Sequence, residues 1–397
     1  MKGLNNLLRY TMYTMSILMG MTSCNRFGEE ETIYARTVLV YMAAENTLAS
    51  FYQDDIDEMM HAASDIPQDC RLLIYLDDYD LPRMLSIEKQ QGRRPVCKTL
   101  HEFAEEHNSG DTKTLRLAMQ WMTEHAPAES YGLVLWSHGD AWIPAKTASQ
   151  RVVCQDARAG SWMEIPDIAN ALSAYPQIDF ILFDACFMQS IEVAYELRHA
   201  TRYIVASPAE IPAPGAPYDR ILKPMFAHTG YAEGIAEQYY REYLDGRVPI
   251  KGHTPLTYGV CLSVVDCTQL EQLAATTQTM VTKYATHPHV ANLDNVQRYY
   301  LRHSATRPAY YDINGYMTRL ITNPADYALW RTTLDRTITH RATTKEWFSD
   351  YTGVERVDTI NYSGLSCYVP KSANTQLNRK FSATSWYTAA GWQQAGW

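Results

Sequence analysis

Leu133-Val134-Leu135-Trp136-Ser137-His138-Gly139-Asp140 is an apolar run that breaks off into polar residues. Its first four residues show no alternation of apolar and polar side chains. A strand covered on both faces reads this way, because neither face meets water. Gly139 follows the histidine and lets the backbone turn sharply. The pattern recurs in Ile181-Leu182-Phe183-Asp184-Ala185-Cys186-Phe187-Met188, where Cys186 stands at the end of the run. Two buried strands that each end on a chemically capable side chain predict an α/β fold around a mainly parallel sheet. In such sheets functional groups gather where the strands end at their carboxyl edge.

Working outward, Thr37 to Met42, Arg71 to Leu76 and Tyr203 to Ala206 read as further buried strands, and Met84 to Glu88 as a short edge strand. Helical patterns fill the spaces between them. They cover Ser50 to Ala63, a stretch capped by Asp111 and running to Glu124, 165–174 with Pro166 in its first turn, and Met188 to His199. Pro208 to Pro217 alternates proline with Ala, Ile and Gly, which forbids helix and central strand and predicts a rigid exposed loop. Later, 229–243 and Thr268 to Tyr284 read as helices, Leu256 to Val265 and Ser363 to Val369 as strands, and 290–360 as helix-prone. The organisation expected is a leader at 1–23, a tether at 24–34, a catalytic core at 35–225 and an extension at 226–397, with no linker composition marking that last boundary.

The 397 residues are 46% hydrophobic and 20% charged, a globular composition able to bury a large core. The net charge of -9, with no Lys/Arg block, argues against nucleic acid as the main partner. The 28 tyrosines suit a peptide or carbohydrate groove, or simply the rim of the core. At the N-terminus Lys2 and Arg9 precede an apolar stretch from Tyr10 to Met21, the length of a signal-peptide core. It closes in Met21-Thr22-Ser23-Cys24, which resembles a lipoprotein processing site with acylation at Cys24. An exported protein with a lipid anchor in the cell envelope, at the outer membrane or cell surface, is therefore expected. Glu29-Glu30-Glu31 then reads as a solvated tether. Among the eight cysteines no Cys-x-x-Cys pair occurs and no close Cys/His cluster has structural-zinc spacing. Export permits disulfides, and a chain of this size does not require them.

His138 and Cys186 are the candidates for chemistry. If their strands pair side by side, imidazole and thiol converge at one sheet edge, the minimum apparatus for nucleophilic attack on a carbonyl. Read as a strand-to-helix junction, Cys186 would also face a helix N-terminus whose N–H groups stabilise a thiolate. The bland reading makes Cys186 a packed small hydrophobe. Ser137 is a rival nucleophile for an esterase, but it lacks a Gly-x-Ser-x-Gly elbow. Asp140, Asp156 and Asp184 lack the spacing of a catalytic metal site, so no metal ligand is assigned.

The stretches Trp136-Ser137-His138-Gly139 and Asp184-Ala185-Cys186-Phe187-Met188, followed by Glu192-Val193-Ala194-Tyr195-Glu196-Leu197, resemble the clostripain family of cysteine peptidases. Gly364-Leu365-Ser366-Cys367-Tyr368-Val369-Pro370 and Tyr311-Asp312-Ile313 resemble other segments of that family, so the likeness spans about 35 to 397. The resemblance implies a caspase-like α/β/α sandwich with additional C-terminal helices and strands, and a cysteine endopeptidase acting on peptide or protein substrates. It implies a dyad of His138 and Cys186, with the backbone N–H groups of Gly139 and Cys186 as oxyanion donors. No cofactor is required for catalysis; calcium, which members can use, is left open. The alternative is a catalytically silent surface lipoprotein that binds peptide or glycan.

The family commonly cleaves after Arg or Lys, and Asp184 matches an acid that can line the pocket; a helix cap is its alternative role. The stretch after Ala206-Ser207 departs from the family, since only Glu210 remains acidic and the aromatic is displaced to Tyr218. This puts a strict basic preference in doubt. Members often cut themselves after a basic residue beyond the histidine. Here the loop 140–162 offers Lys146, Arg151 and Arg158, with Arg151 nearest its middle.

Overall fold

The computed structural model describes residues 32–90, 92–143, 152–244, 259–288, 291–299, 310–349 and 353–397. Cys24, Lys146, Arg151 and Leu256 lie outside the described residues. In chain order the strands are β1 (Arg36–Ala43), β2 (Cys70–Asp77), β3 (Arg83–Glu88), β4 (Val96–Glu102) and β5 (Tyr131–Trp136). They continue with β6 (Val153–Asp156), β7 (Ser161–Met163), β8 (Ile178–Asp184), β9 (Thr201–Ala206) and β10 (Cys261–Asp266). The last are β11 (Tyr311–Asp312), β12 (Ile338–Thr343), β13 (Glu346–Ser349), β14 (Gly353–Arg356) and β15 (Ser366–Cys367).

Nine of these form one sheet in the order β12-β10-β9-β8-β5-β1-β2-β3-β4. Its centre, β9-β8-β5-β1-β2, is parallel, and antiparallel strands close it on both sides. All eight residues of β1 are buried. Leu39 and Tyr41 feed one core with Leu133, Leu135, Ile181 and Phe183, while Val38, Val40 and Met42 feed the other with Val134, Phe180 and Leu182. Alternate side chains of one strand thus serve opposite faces, which is why the sequence runs apolar without alternation. Each such Val, Leu or Ile contributes about 1.5–3 kcal/mol by leaving water. The helices Thr112–His125, Ile165–Leu172, Leu270–Tyr284 and Pro324–Thr337 line the first core; Tyr52–His61, Tyr218–Met225 and Tyr231–Tyr243 line the second.

The sheet crosses residue 225: β10 and β12 join its edge from the later half of the chain. The region 290–360, expected as helix-prone, holds among its described residues the helices Ile313–Leu320 and Pro324–Thr337 together with strands. Asp111 caps its helix as expected, accepting a hydrogen bond from the Lys113 N–H. The helix expected over Met188 to His199 is only Ile191–Glu196. Gln189 is drawn inward instead, its amide donating to the Ser263 carbonyl at 2.8 Å, and Ser190 bridges to Ser366. The stretch Pro208 to Pro217 has no helix or strand, as its prolines dictate, but most of it is not exposed: Ala209, Gly215 and Ala216 are buried, and Ala213 alone is exposed. The Tyr243 hydroxyl donates to the Gly215 carbonyl at 2.7 Å and helps hold it down. Among the described residues no helix is long and apolar enough to cross a membrane.

Candidate active site

The site grows from the carboxyl ends of two neighbouring parallel strands. Trp136 of β5 pairs with Asp184 of β8, an offset of 48 residues, and the same 48 residues separate His138 from Cys186. Both side chains therefore sit two residues past one rung of the ladder. The Ser137 N–H extends that ladder to the Asp184 carbonyl at 3.3 Å. The Ser137 hydroxyl donates to the Ala43 carbonyl at 3.0 Å and accepts from the Gln155 N–H at 3.0 Å. It is buried and ties β1, β5 and β6 together, a structural knot that gives the esterase reading no reacting hydroxyl.

Gly139 is packed directly against the cysteine turn. A Cβ there would stand 2.7 Å from the Cys186 carbonyl oxygen, 2.9 Å from the Ala185 Cβ and 3.0 Å from the Met188 sulfur. Gly139 also bridges to Val153 of β6, and the Asp140 N–H donates to the Val152 carbonyl at 2.7 Å. The later part of the loop 140–162 thus forms the hairpin β6–β7. Arg158 in that hairpin is held by Glu45 and by Glu106, each at 2.6 Å. His138 is half-buried, with its ring 6.5 Å from that of Trp162 on β7. Its Nε2 lies 2.8 Å from the Thr47 hydroxyl, in the loop after β1.

Cys186 sits in a turn that Phe187 makes with a φ of 63°. The turn is fastened to the segment after β9 by Phe187 N–H to Ala209 C=O at 3.0 Å and Gln189 N–H to Ser207 C=O at 2.9 Å. The Ile211 N–H donates to the sulfur at 3.4 Å, and the thiol faces the Ile211 carbonyl at 3.8 Å. Burial pushes the thiol up to about 12; the Glu210, Asp140 and Asp184 carboxylates add to this, and the Ile211 N–H opposes it. The thiolate-stabilising helix N-terminus expected next to Cys186 does not follow it directly, since the next helix in the chain begins only at Ile191 and is six residues long. Burial thus favours the protonated thiol over the thiolate.

Asp184 does not cap a helix. Its carboxylate accepts from the Ala216 N–H at 3.0 Å, the Tyr218 hydroxyl at 3.1 Å and the Tyr239 hydroxyl at 3.3 Å. Burial raises it to about 6, and these three donors hold it from rising further. Gly215 has a φ of 68°, and a Cβ on it would reach within 2.9 Å of the Asp184 oxygen. Below lie two carboxylates the sequence reading missed. Asp55 is buried and accepts the Trp136 indole N–H at 2.7 Å. Glu58 accepts the Tyr218 N–H at 2.8 Å and is raised to about 7, chiefly by burial. The available signal was an acid on an apolar helix face, since Asp55 precedes Met59 by one helical turn. Glu210 lies half-buried near the thiol. Asp140, Asp156 and Asp184 do not converge: Asp156 accepts the Ser109 and Ala159 N–H groups instead. Among the described residues no group of three or more His, Cys, Asp or Glu is placed to hold a metal ion.

A parallel-centred α/β sandwich with a histidine and a cysteine at adjoining strand ends is the architecture of caspase-like cysteine peptidases. The chain belongs to the clostripain family, which its residues 40–395 match. A secreted cysteine protease from Bacteroides thetaiotaomicron, solved with an irreversible peptide inhibitor, superposes with a TM-score of 0.81 at 31% identity, covering 90% of this chain and 99% of that one. An inactive zymogen protease from Parabacteroides distasonis does so with a TM-score of 0.78 at 30% identity, again covering 90% and 99%. Clostripain from Hathewaya histolytica is 26% identical over 227 residues, which cover 49% of this chain and 43% of that protein. The match thus spans less than half the length of that curated relative.

Proposed function

We propose that the chain is an exported cysteine endopeptidase in which Cys186 attacks the peptide carbonyl and His138 moves the proton. The observation that carries this is the common offset of 48 residues, which sets both side chains at one level past the paired ends of β5 and β8. In this reading the thiol starts protonated, and His138 takes its proton as the sulfur–carbon bond forms. The carbonyl oxygen gains the charge, and the Gly139 and Cys186 N–H groups are the proposed donors to it. Collapse breaks the carbon–nitrogen bond, and the His138 proton goes to the departing amine. Water then attacks the thioester, His138 takes a proton from it, and the thiol is restored as the acid leaves.

Asp184 beneath the site and Glu210 beside the thiol support a preference for Lys or Arg in the residue before the cut bond. The preference is not strict in this reading, because Asp184 is already met by three donors and a guanidinium would have to displace one. The thiol under Ile211 and the inactive zymogen among the relatives favour a latent resting form, with self-cleavage after Arg151 as the proposed release. The secreted relative supports export, and acylation at Cys24 is the proposed anchor.

A peptide library tests activity and specificity together. Cleavage is expected from the wild-type chain and not from Cys186→Ala, and cleavage that survives the substitution sinks the proposal. A folded wild-type chain whose Cys186 ignores an electrophilic peptide probe would instead support the silent binder.

A further inference from the structure

We infer that Thr47 is the positioning residue of His138, the third member of a Thr47–His138–Cys186 line; this rests on the dyad proposed above. The Thr47 hydroxyl lies 2.8 Å from Nε2 of His138. The loop that carries it is fixed by one buried side chain. The Asn46 amide donates to the Ala43 carbonyl at 2.7 Å, the Gln155 carbonyl at 3.0 Å and the Ser137 hydroxyl at 3.3 Å. Its oxygen accepts the Leu48 N–H at 2.9 Å. Backbone bonds from Asn46 N–H to Ala44 C=O and from Ala49 N–H to Asn46 C=O tighten the same turn. Asn46 therefore couples Thr47 to Ser137, the residue immediately before His138. The hydroxyl and the imidazole are held by one rigid connection, not by chance contact of two loops.

The chemistry assigns the roles of the two ring nitrogens. To accept the thiol proton, one nitrogen must carry a lone pair while the other carries hydrogen. A threonine oxygen accepts from Nε2–H in both the neutral and the protonated ring, so the bond persists through the reaction. That leaves Nδ1 as the nitrogen that exchanges a proton with Cys186. A hydroxyl in this role brings no charge. It fixes tautomer and ring direction without drawing the resting pair into an ion pair, unlike the carboxylate of a Ser-His-Asp triad.

The test compares Thr47→Val, which keeps shape and loses the hydroxyl, with Thr47→Ser, which keeps the hydroxyl. The substrate is the peptide the wild-type chain cleaves fastest in the library, and iodoacetamide alkylation of Cys186 is followed in parallel by mass spectrometry. For Thr47→Val, kcat is expected to fall about tenfold, the worth of one well-placed hydrogen bond, with KM and melting temperature nearly unchanged. Alkylation should slow in step, and Thr47→Ser should recover most of both rates. A Val variant as fast as wild type overturns the inference while leaving the dyad standing. So does an equal loss in Val and Ser, or a loss confined to KM and melting temperature. Cleavage that survives Cys186→Ala removes the dyad and the inference with it.

Discussion

His138 leaves β5 half-buried and is met by a hydroxyl, whereas Asp184, on the adjoining strand two residues before Cys186, is sealed between two tyrosine hydroxyls and a peptide N–H. The strand end around the histidine is supported by neutral groups, Ser137, Asn46 and Thr47. The ground beneath the cysteine is acidic, with Asp184, Asp55 and Glu58 all raised by burial. Reacting groups have to move protons with small cost, which suits a neutral, partly wet setting. Charge stored under a pocket is held by donors until a cationic partner arrives, which suits a sealed one.

The largest expected effect falls on the seam between the two ends. Gly139→Ala places a Cβ 2.7 Å from a backbone oxygen that cannot swing away. The histidine loop and the cysteine turn must separate, and misplacement of that order costs about 10²-fold in kcat/KM. Steady-state kinetics on the library peptide measures it, and an Ala variant within threefold of wild type would show that the two ends are not pressed together.

Asp184→Ala sharpens the contrast. It leaves the Tyr218 and Tyr239 hydroxyls and the Ala216 N–H without their acceptor inside the core. Chemical denaturation should give a stability loss of about 2–3 kcal/mol, since each stranded group costs about 1 kcal/mol or more and relief of the buried charge offsets part. If stability is unchanged and only cleavage after Lys and Arg is lost, Asp184 is an open pocket wall and not an anchor.

How much of this was legible in the sequence follows from what each residue touches. Val38 to Met42, Leu133 to Trp136 and Phe180 to Phe183 announce themselves because burial on both faces leaves an unbroken apolar run. Strand β4 was missed because it lies on the sheet edge, where Lys98, Thr99 and Glu102 face water. The helix after Cys186 starts later than expected because Ser190 caps it, its hydroxyl accepting the Val193 N–H, while Met188 and Gln189 are buried before it. The helix Tyr218–Met225 was hidden by Pro224 in its last turn. Tyr218 and Tyr239 meet Asp184 across 34 and 55 residues, and Thr47 meets His138 across 91. No local periodicity encodes such distant partners.

The smallest expected effect belongs to the one carboxylate that serves both ends. Glu210 belongs to the segment clamped over the pocket, yet after burial it is the largest influence keeping the thiol proton on Cys186. Glu210→Gln removes that charge and little volume. The thiol pKa should fall from its raised value by a fraction of a unit. At pH 8, far below that pKa, the thiolate fraction then grows in proportion, so alkylation by iodoacetamide should quicken about threefold for half a unit. The gain is trimmed slightly because a less basic thiolate is a weaker nucleophile. Turnover of neutral peptides should hardly change, since His138 removes the proton during attack. Peptides with Lys or Arg before the cut bond should show a raised KM if Glu210 also meets their charge. Faster alkylation with unchanged KM would confine Glu210 to the reacting end, and a raised KM with unchanged alkylation would confine it to the pocket. If neither moves, the two ends share no carboxylate, and Glu210 has no part in either.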